Sequence, residues 1–293
     1  MSIGYKSFHE NSIRDPKAFW SEQAKLVDWH QPFSQVLDYS KPPFAKWFVG
    51  GQTNLCHNAV DRHLKDRASQ IALVAVSTET NQEHAYTFLE LHDEVNRMAA
   101  ILQANGVKKG DRVLIYMPMI AQACFAMLAC TRIGAVHSVV FGGFASRELS
   151  SRIDHREPKL IISVSCGLLP GGRTLPYKRL LDDAIYMSKW KGVWKCIIVQ
   201  REGVLVCDLR DGMDVSYREL MDDMKVGMDA VLVPSMHVSN KDSDGDIIYI
   251  PPTREGTLLR IARDGVYLSC GTSEELTRQS ATSFARKNPS PNI

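Results

Sequence analysis

Two short loops pair glycines with a helix start or with cations, a combination that lets a backbone grip an anion. In "SVVFGGFASRELSSRID" an apolar strand delivers Gly142 and Gly143 to the first turn of a helix. Free N–H groups and the positive end of the helix dipole meet there, and the missing Cβ atoms allow close approach. A structural tight turn uses the same residues, so the pattern alone leaves both readings open. In "LLPGGRTLPYK" the pair Gly171–Gly172 is followed at once by Arg173, with Lys178 five residues further on. Arginine beside a flexible backbone suits bidentate pairing with phosphate oxygens. A solvated surface loop is the alternative.

A third segment, "GDIIYIPPTREGTLLRIARDG", has the outline of a phosphate loop without its chemistry. An expected strand, Asp246 to Ile250, runs into Pro251 and Pro252, which remove two backbone donors of the kind a phosphate cradle needs. The G-x-x-x-x-G-K-[ST] spacing is missing as well. The seven cysteines (Cys56, Cys124, Cys130, Cys166, Cys196, Cys207, Cys270) are widely spaced without a C-x-x-C, and read as reduced packing thiols. The nine histidines show no metal-ligand spacing, since His57 and His63, six apart, fall on different helix faces. No metal site is expected. The carboxylate pairs in "LLDDA" and "LMDDM" read as solvated helix faces, and no residue is assigned a catalytic role.

The elements that must hold these loops alternate regularly. After "IALVAVS", a strand, Thr87 and Glu90 form a capping box for a helix that closes on Gly106 after Asn105. "DRVLIYM" is a strand, and "PMIAQACFAMLACTRIGA" an almost wholly apolar, hence buried, helix ending at Gly134. Strands "VHSVVF", "KLIISVS" and "KCIIV" then alternate with helices "ASRELSSRID" and "PYKRLLDDAIYMSKW", and Ser216 with Glu219 caps one more helix. The fold class is α/β: a mainly parallel sheet flanked by helices on both faces.

Residues 1–60 read as a helical and irregular strap. Asp15 is the N-cap and Pro16 the first residue of an early helix, and another helix is expected from Leu55 to Lys65. Between them "HQPFSQVLDYSKPPFAKWFVGG" is too proline-broken for a long element, and its aromatics are expected to plug into a neighbouring domain. Residues 61–250 form the regular α/β part. Residues 251–293, with few apolar side chains and a Pro/Ser/Asn-rich end, have the composition of a disordered tail.

Composition narrows the function. With 293 residues, 44% of them hydrophobic, and a net charge of +2, the chain suits an ordinary globular protein and offers no electrostatic case for nucleic acid or anionic membrane. No apolar run reaches the roughly 18 residues needed to span a bilayer. The N-terminus "MSIGYKSFHENSIRDPKAFW" lacks an apolar signal core and suggests a cytoplasmic protein, a mitochondrial address being compatible too.

The stretch from "HDEVNRMAAILQANGVKKGDRVLIYMPMIAQACFAMLACTRIGAVHSVVFGGFASRELSSRID" to "LIISVSCG" strongly resembles the short-chain acyl-CoA synthetases of the AMP-forming, adenylating superfamily. "DPKAFWSEQAKLVDW", "PPFAKWF" and "TNLCHNAVDRHL" resemble the propionyl-CoA synthetases more than the acetyl-CoA synthetases, and the similarity runs from about Phe8 to Tyr249. The resemblance implies a ligase that joins a short-chain carboxylate to coenzyme A at the expense of ATP, used with Mg, through an acyl-adenylate. It further implies that Gly142 and Gly143, with Gly171, Gly172 and Arg173, help hold the coenzyme A nucleotide. Acetyl-CoA synthetases usually carry an arginine where this chain has Pro170.

In that family a strand ending like "IIY" runs into T-S-G-T-T-G-x-P-K-G, the loop that wraps the ATP phosphates. Here Tyr249 is followed by "IPPTREGTLLR", after which "IARDGVYL" resembles the family's next stretch. The adenylate motifs and the C-terminal domain would lie beyond, so the resemblance covers an N-terminal portion and the chain is expected to be inactive alone. A non-catalytic homologue that keeps a nucleotide-like ligand or a partner, or a nonfunctional gene product, are the other readings.

Overall fold

The computed structural model describes residues 4–77, 80–140, 142–143, 145–169, 171–193, 195–227, 238–239, 260–262 and 265–267. Helices α1 (Tyr5–Arg14) and α2 (Pro16–Gln23) open the chain, and the Ala18 N–H donates to the Asp15 carboxylate at 3.0 Å, the expected cap. The aromatic segment that follows is more regular than its prolines suggest. It forms an antiparallel hairpin of β1 (Gln35–Lys41) and β2 (Phe44–Val49). Pro42 and Pro43 occupy the turn, where they interrupt no ladder, and the aromatic flanks favour extended backbone.

The aromatics also pack chiefly on one another rather than into a neighbour. Phe8, Phe19, Trp20 and Trp47 form one chain of edge-on rings; Trp29, Phe33 and Phe48 form a second cluster. Gly51 lies so close to the Trp29 ring that a Cβ there would sit 2.7 Å from it.

The helix expected from Leu55 to Lys65 is broken. After the short strand β3 (Gln52–Thr53), α3 (Leu55–Ala59) is capped by Asn54 and stops at Val60; a 3-10 turn and then α4 (Leu64–Arg67) follow. The break is tied to Asp61, whose carboxylate accepts from the buried Arg132 guanidinium at 2.8 Å and faces His92 at 3.4 Å. Burial alone would raise its pKa, but the hydrogen bonds from His92 and Arg132 prevail and hold it below the ordinary carboxylate range.

Strands β4 (Ile71–Ser77) and β5 (Gln82–Thr87) pair antiparallel and lead into α5 (Phe88–Ala104), where Thr87 and Glu90 make the expected capping box. The main sheet follows: β6 (Arg112–Tyr116), α6 (Ala121–Ile133), β7 (Val136–Val140), α7 (Ser146–Arg156) and β8 (Leu160–Val164). A small antiparallel pair, β9 (Gly167–Leu169) and β10 (Arg173–Leu175), interrupts it before α8 (Tyr177–Met187), β11 (Lys195–Val199), β12 (Asp214–Ser216) and α9 (Tyr217–Gly227). Gly134 ends α6 in the left-handed conformation, φ 71°.

The five strands lie in the order β12-β11-β8-β6-β7, and every pairing among them is parallel. The chain steps outward from β6 to β7 through α6, then back across β6 to β8 through α7. Right-handed crossovers in opposite directions put α6 and α7 on opposite faces. Helix α6 packs with α5, and α5 with α9; α7 packs with α8. The buried runs of β8, and of β11 from Cys196 onward, fit a sheet covered on both sides.

Three short strands complete the picture. β13 (Val238–Ser239) pairs antiparallel with β3, while β15 (Gly265–Tyr267) adds parallel to β4 and carries β14 (Arg260–Ala262) on its far side. Strands β14 and β15 fall within the segment 251–293 that composition marks as tail-like. The rest of that segment, the expected strand from Asp246 to Ile250, and Pro251 and Pro252 lie outside the described residues.

Candidate functional site

The reversal of strand order falls between β6 and β8, and in open α/β sheets the crevice beyond the strand ends at such a point is where ligands bind. Both glycine loops lie at that end: Gly142 and Gly143 follow β7, and the β9–β10 hairpin follows β8. Tyr177, the first residue of α8 and almost wholly buried, joins them. A Cβ on Gly142 would lie 1.5 Å from the Tyr177 hydroxyl, and one on Gly167 would lie 2.5 Å from its ring. On another side the ring meets Tyr116, the last residue of β6, with centroids 4.7 Å apart. Part of the glycine signal in "FGG" is therefore spent on a tyrosine rather than on a ligand. Gly143, beside it, is exposed.

The hairpin tip is different. Gly171 and Gly172 have φ of +81° and +75°, a region side-chain-bearing residues avoid, and no atom lies within 4 Å of where their Cβ atoms would be. The Gly172 N–H closes the turn on the Leu169 carbonyl at 3.1 Å. Arg173 follows at the start of β10, exposed and paired with none of the described residues. At the other loop, Ala145 is the N-cap of α7 and its side chain makes no capping hydrogen bond. Pro170 lies outside the described residues.

Lys178 does not join Arg173 as a surface cation. It is buried, its ammonium bonded to Asp182 at 2.6 Å and to Asp214 at 2.9 Å, while Arg210 completes the ring on the same two carboxylates. Burial would raise the Asp214 pKa, but the bonds from Arg210 and Lys178 outweigh it and keep the carboxylate ionised. The ring fixes α8 to β12, and with it the root of the hairpin.

A cleft of about 630 Å³ opens elsewhere, between the β4–β5 turn, the start of α6, the loop after β11 and the start of α9. Gln82, Gln122, Arg201 and Tyr217 line it, and none of the expected site residues does. The Tyr217 hydroxyl is buried without a hydrogen-bond partner among the described residues. Arg218, at its rim, is held by Glu202 at 2.6 Å. The run from Val199 to Val204 supplies half of the lining and the rest comes from three other places in the chain, a combination that leaves no sequence signal.

The described cysteines are free thiols, and burial pushes Cys56, Cys124 and Cys196 up to about 12, so none is a ready nucleophile. Among the described residues no group of three or more metal-ligating side chains converges. No described helix is long and apolar enough to cross a membrane.

Comparison with known proteins adds independent findings. Residues 5–59 match the family model described as acetyl-coenzyme A synthetase N-terminus, and residues 60–240 match that of the AMP-binding enzyme. Propionate–CoA ligase of Salmonella typhimurium is 52% identical over 218 residues, 74% of this chain and 34% of that protein. The human mitochondrial acyl-CoA synthetase short-chain family member 3 is 42% identical over 218 residues, 74% of this chain and 32% of its own. Among solved structures, acetoacetyl-CoA synthetase from Streptomyces lividans matches with a TM-score of 0.70 and 27% identity, covering 81% of this chain and 35% of that one. The chain thus spans about a third of the length of the curated relatives it matches.

Proposed function

The chain belongs to the AMP-binding enzyme family, and on that premise we propose that it carries the coenzyme A side of a ligase for short carboxylates, with propionate as the acid. The observation that carries this reading is the 52% identity over 218 residues with a propionate–CoA ligase. Small molecules, not nucleic acid or a membrane, are its proposed partners.

The hairpin tip suits the nucleotide end of coenzyme A. Two glycines in left-handed conformation leave the space at their Cβ positions open among the described residues, and Arg173 stands beside them, paired with none of those residues. In this reading Arg173 pairs with a phosphate of coenzyme A, the turn at Gly171 and Gly172 lets the nucleotide lie close, and Gly143 with the α7 N-terminus offers further donors. When bound, coenzyme A supplies the thiol that accepts the acyl group.

The ATP side fits less well. Where the family resemblance implies T-S-G-T-T-G-x-P-K-G, this chain has "IPPTREGTLL", and Pro251 and Pro252 provide no N–H for a departing pyrophosphate. The reading is therefore that this chain of 293 residues keeps a nucleotide site but does not form acyl-adenylate. The test is propionate-dependent release of pyrophosphate from ATP and Mg by the purified chain. None above the protein-free control is expected; release that follows propionate would overturn the adenylation part of the proposal.

A further inference from the structure

We propose that Tyr177 is the positioning residue of the nucleotide site, a wedge whose ring fixes the 142–143 turn against the root of the 167–175 hairpin; this rests on the reading of that hairpin as the coenzyme A side. Two glycines from different loops are shaped to one side chain: the Gly142 backbone accommodates its hydroxyl end, and Gly167 its ring face. Tyr116 closes the packing at the end of β6, next to the reversal in strand order. Tyr177 thus meets the segments that leave three neighbouring strands: the end of β6 through Tyr116, the turn after β7 through Gly142, and β9, which follows β8, through Gly167.

The wedge has its own anchor. Tyr177 opens α8, and the next residue, Lys178, is locked into the ring of Asp182, Arg210 and Asp214. The Lys178 N–H also donates to the Ser165 carbonyl, between β8 and β9, at 3.3 Å. The tyrosine is consequently held from the helix side, and the two loops settle on it. Tyr177 itself presents no group to solvent, so its action on a ligand runs through the loops it spaces.

This role differs from plain core packing in a measurable way. Leu181 lies one turn along the same helix, is fully buried and supplies none of the atoms nearest the Cβ position of either glycine, so Leu181→Ala is the control for loss of stability alone. Hydrogen exchange of the full chain is compared for wild type, Tyr177→Leu and Leu181→Ala. Tyr177→Leu is expected to raise exchange in the peptides covering both Gly142–Gly143 and Gly167–Leu169, whereas Leu181→Ala leaves the 142–143 peptide unchanged. In parallel, coenzyme A affinity is expected to fall at least tenfold in Tyr177→Leu and less than twofold in Leu181→Ala.

Should Tyr177→Leu not fold, Gly142→Ala replaces it. The added methyl meets the hydroxyl, so Gly142→Ala should loosen both loops, and adding Tyr177→Phe should restore part of the protection. Unchanged exchange at 142–143 in Tyr177→Leu, or equal effects of Tyr177→Leu and Leu181→Ala, would overturn the wedge. Coupled exchange without any coenzyme A binding by wild type would leave the wedge standing and remove the reading of the hairpin as a coenzyme A site, which overturns Tyr177 as a nucleotide-site residue.

Discussion

Gly172 and Gly142 illustrate two reasons for a glycine, and only one of them is local. At Gly172 the backbone has φ of +75° in a two-residue glycine turn, a requirement that adjacent glycines before a cation already announce in the sequence. At Gly142 the reason is Tyr177, distant along the chain, and no pattern in "VVFGGFAS" names it. The conformational need gives a prediction: Gly172→Ala should destabilise the chain by about 1 kcal/mol, the cost of a left-handed residue with a side chain. Nothing lies near the new methyl, so strain alone is read out in a urea titration. A stability equal to wild type would show that the turn adapts.

The elements were legible where their ends are set by neighbours in sequence. The capping box at Thr87 and Glu90 and the glycine stop at Gly134 fix α5 and α6 by local hydrogen bonds, and both stand where the residues put them. The interruption after Ala59 was not legible, because Asp61 turns toward Arg132 and His92 from other helices. The β1–β2 hairpin was missed for a similar reason: Trp47 of β2 packs edge-on against Trp20 of α2, outside the segment that looked broken. On β7, at the edge of the main sheet, His137 lies half-buried opposite Val113, and burial lowers its pKa to about 4. The folded state then favours neutral imidazole, while the unfolded chain protonates near 6.5. Stability from this group is complete above about pH 6.5 and is lost as pH falls toward 4. Thermal melts between pH 7 and 4.5 should show a falling Tm, with a shallower fall in His137→Gln; His63, also lowered by burial, adds to the same slope. Parallel slopes for wild type and His137→Gln would contradict the assignment.

For the whole molecule, the parallel sheet could be read from buried strand runs alternating with helices: β6, β7, β8 and β11 lie in it as expected, whereas β4 pairs antiparallel with β5 in a separate sheet and β12 joins at the edge. The 630 Å³ cleft could not, since its lining comes from four separate places in the chain. Several large aromatics stay exposed in the N-terminal segment: Phe44 is 77% exposed, and Tyr39, Trp20 and Trp47 are exposed too. Exposed apolar surface promotes association. The apparent mass in light scattering should therefore rise with concentration, and Phe44→Ser with Tyr39→Ser should reduce that rise. A concentration-independent monomer would contradict it.

In the proposed reading the hairpin at Gly171, Gly172 and Arg173 holds a coenzyme A nucleotide. A charge-assisted contact from Arg173 is worth about 1.5–3 kcal/mol, too little for tight binding once the lost freedom of association is counted. Weak, salt-sensitive binding on the order of millimolar is the expectation. Calorimetric titration of coenzyme A into wild type, Arg173→Ala and Arg218→Ala decides it. The account predicts binding by wild type and by Arg218→Ala, whose arginine is held by Glu202 at the cleft, and none by Arg173→Ala. Equal binding by wild type and Arg173→Ala, or no binding by wild type, would contradict it.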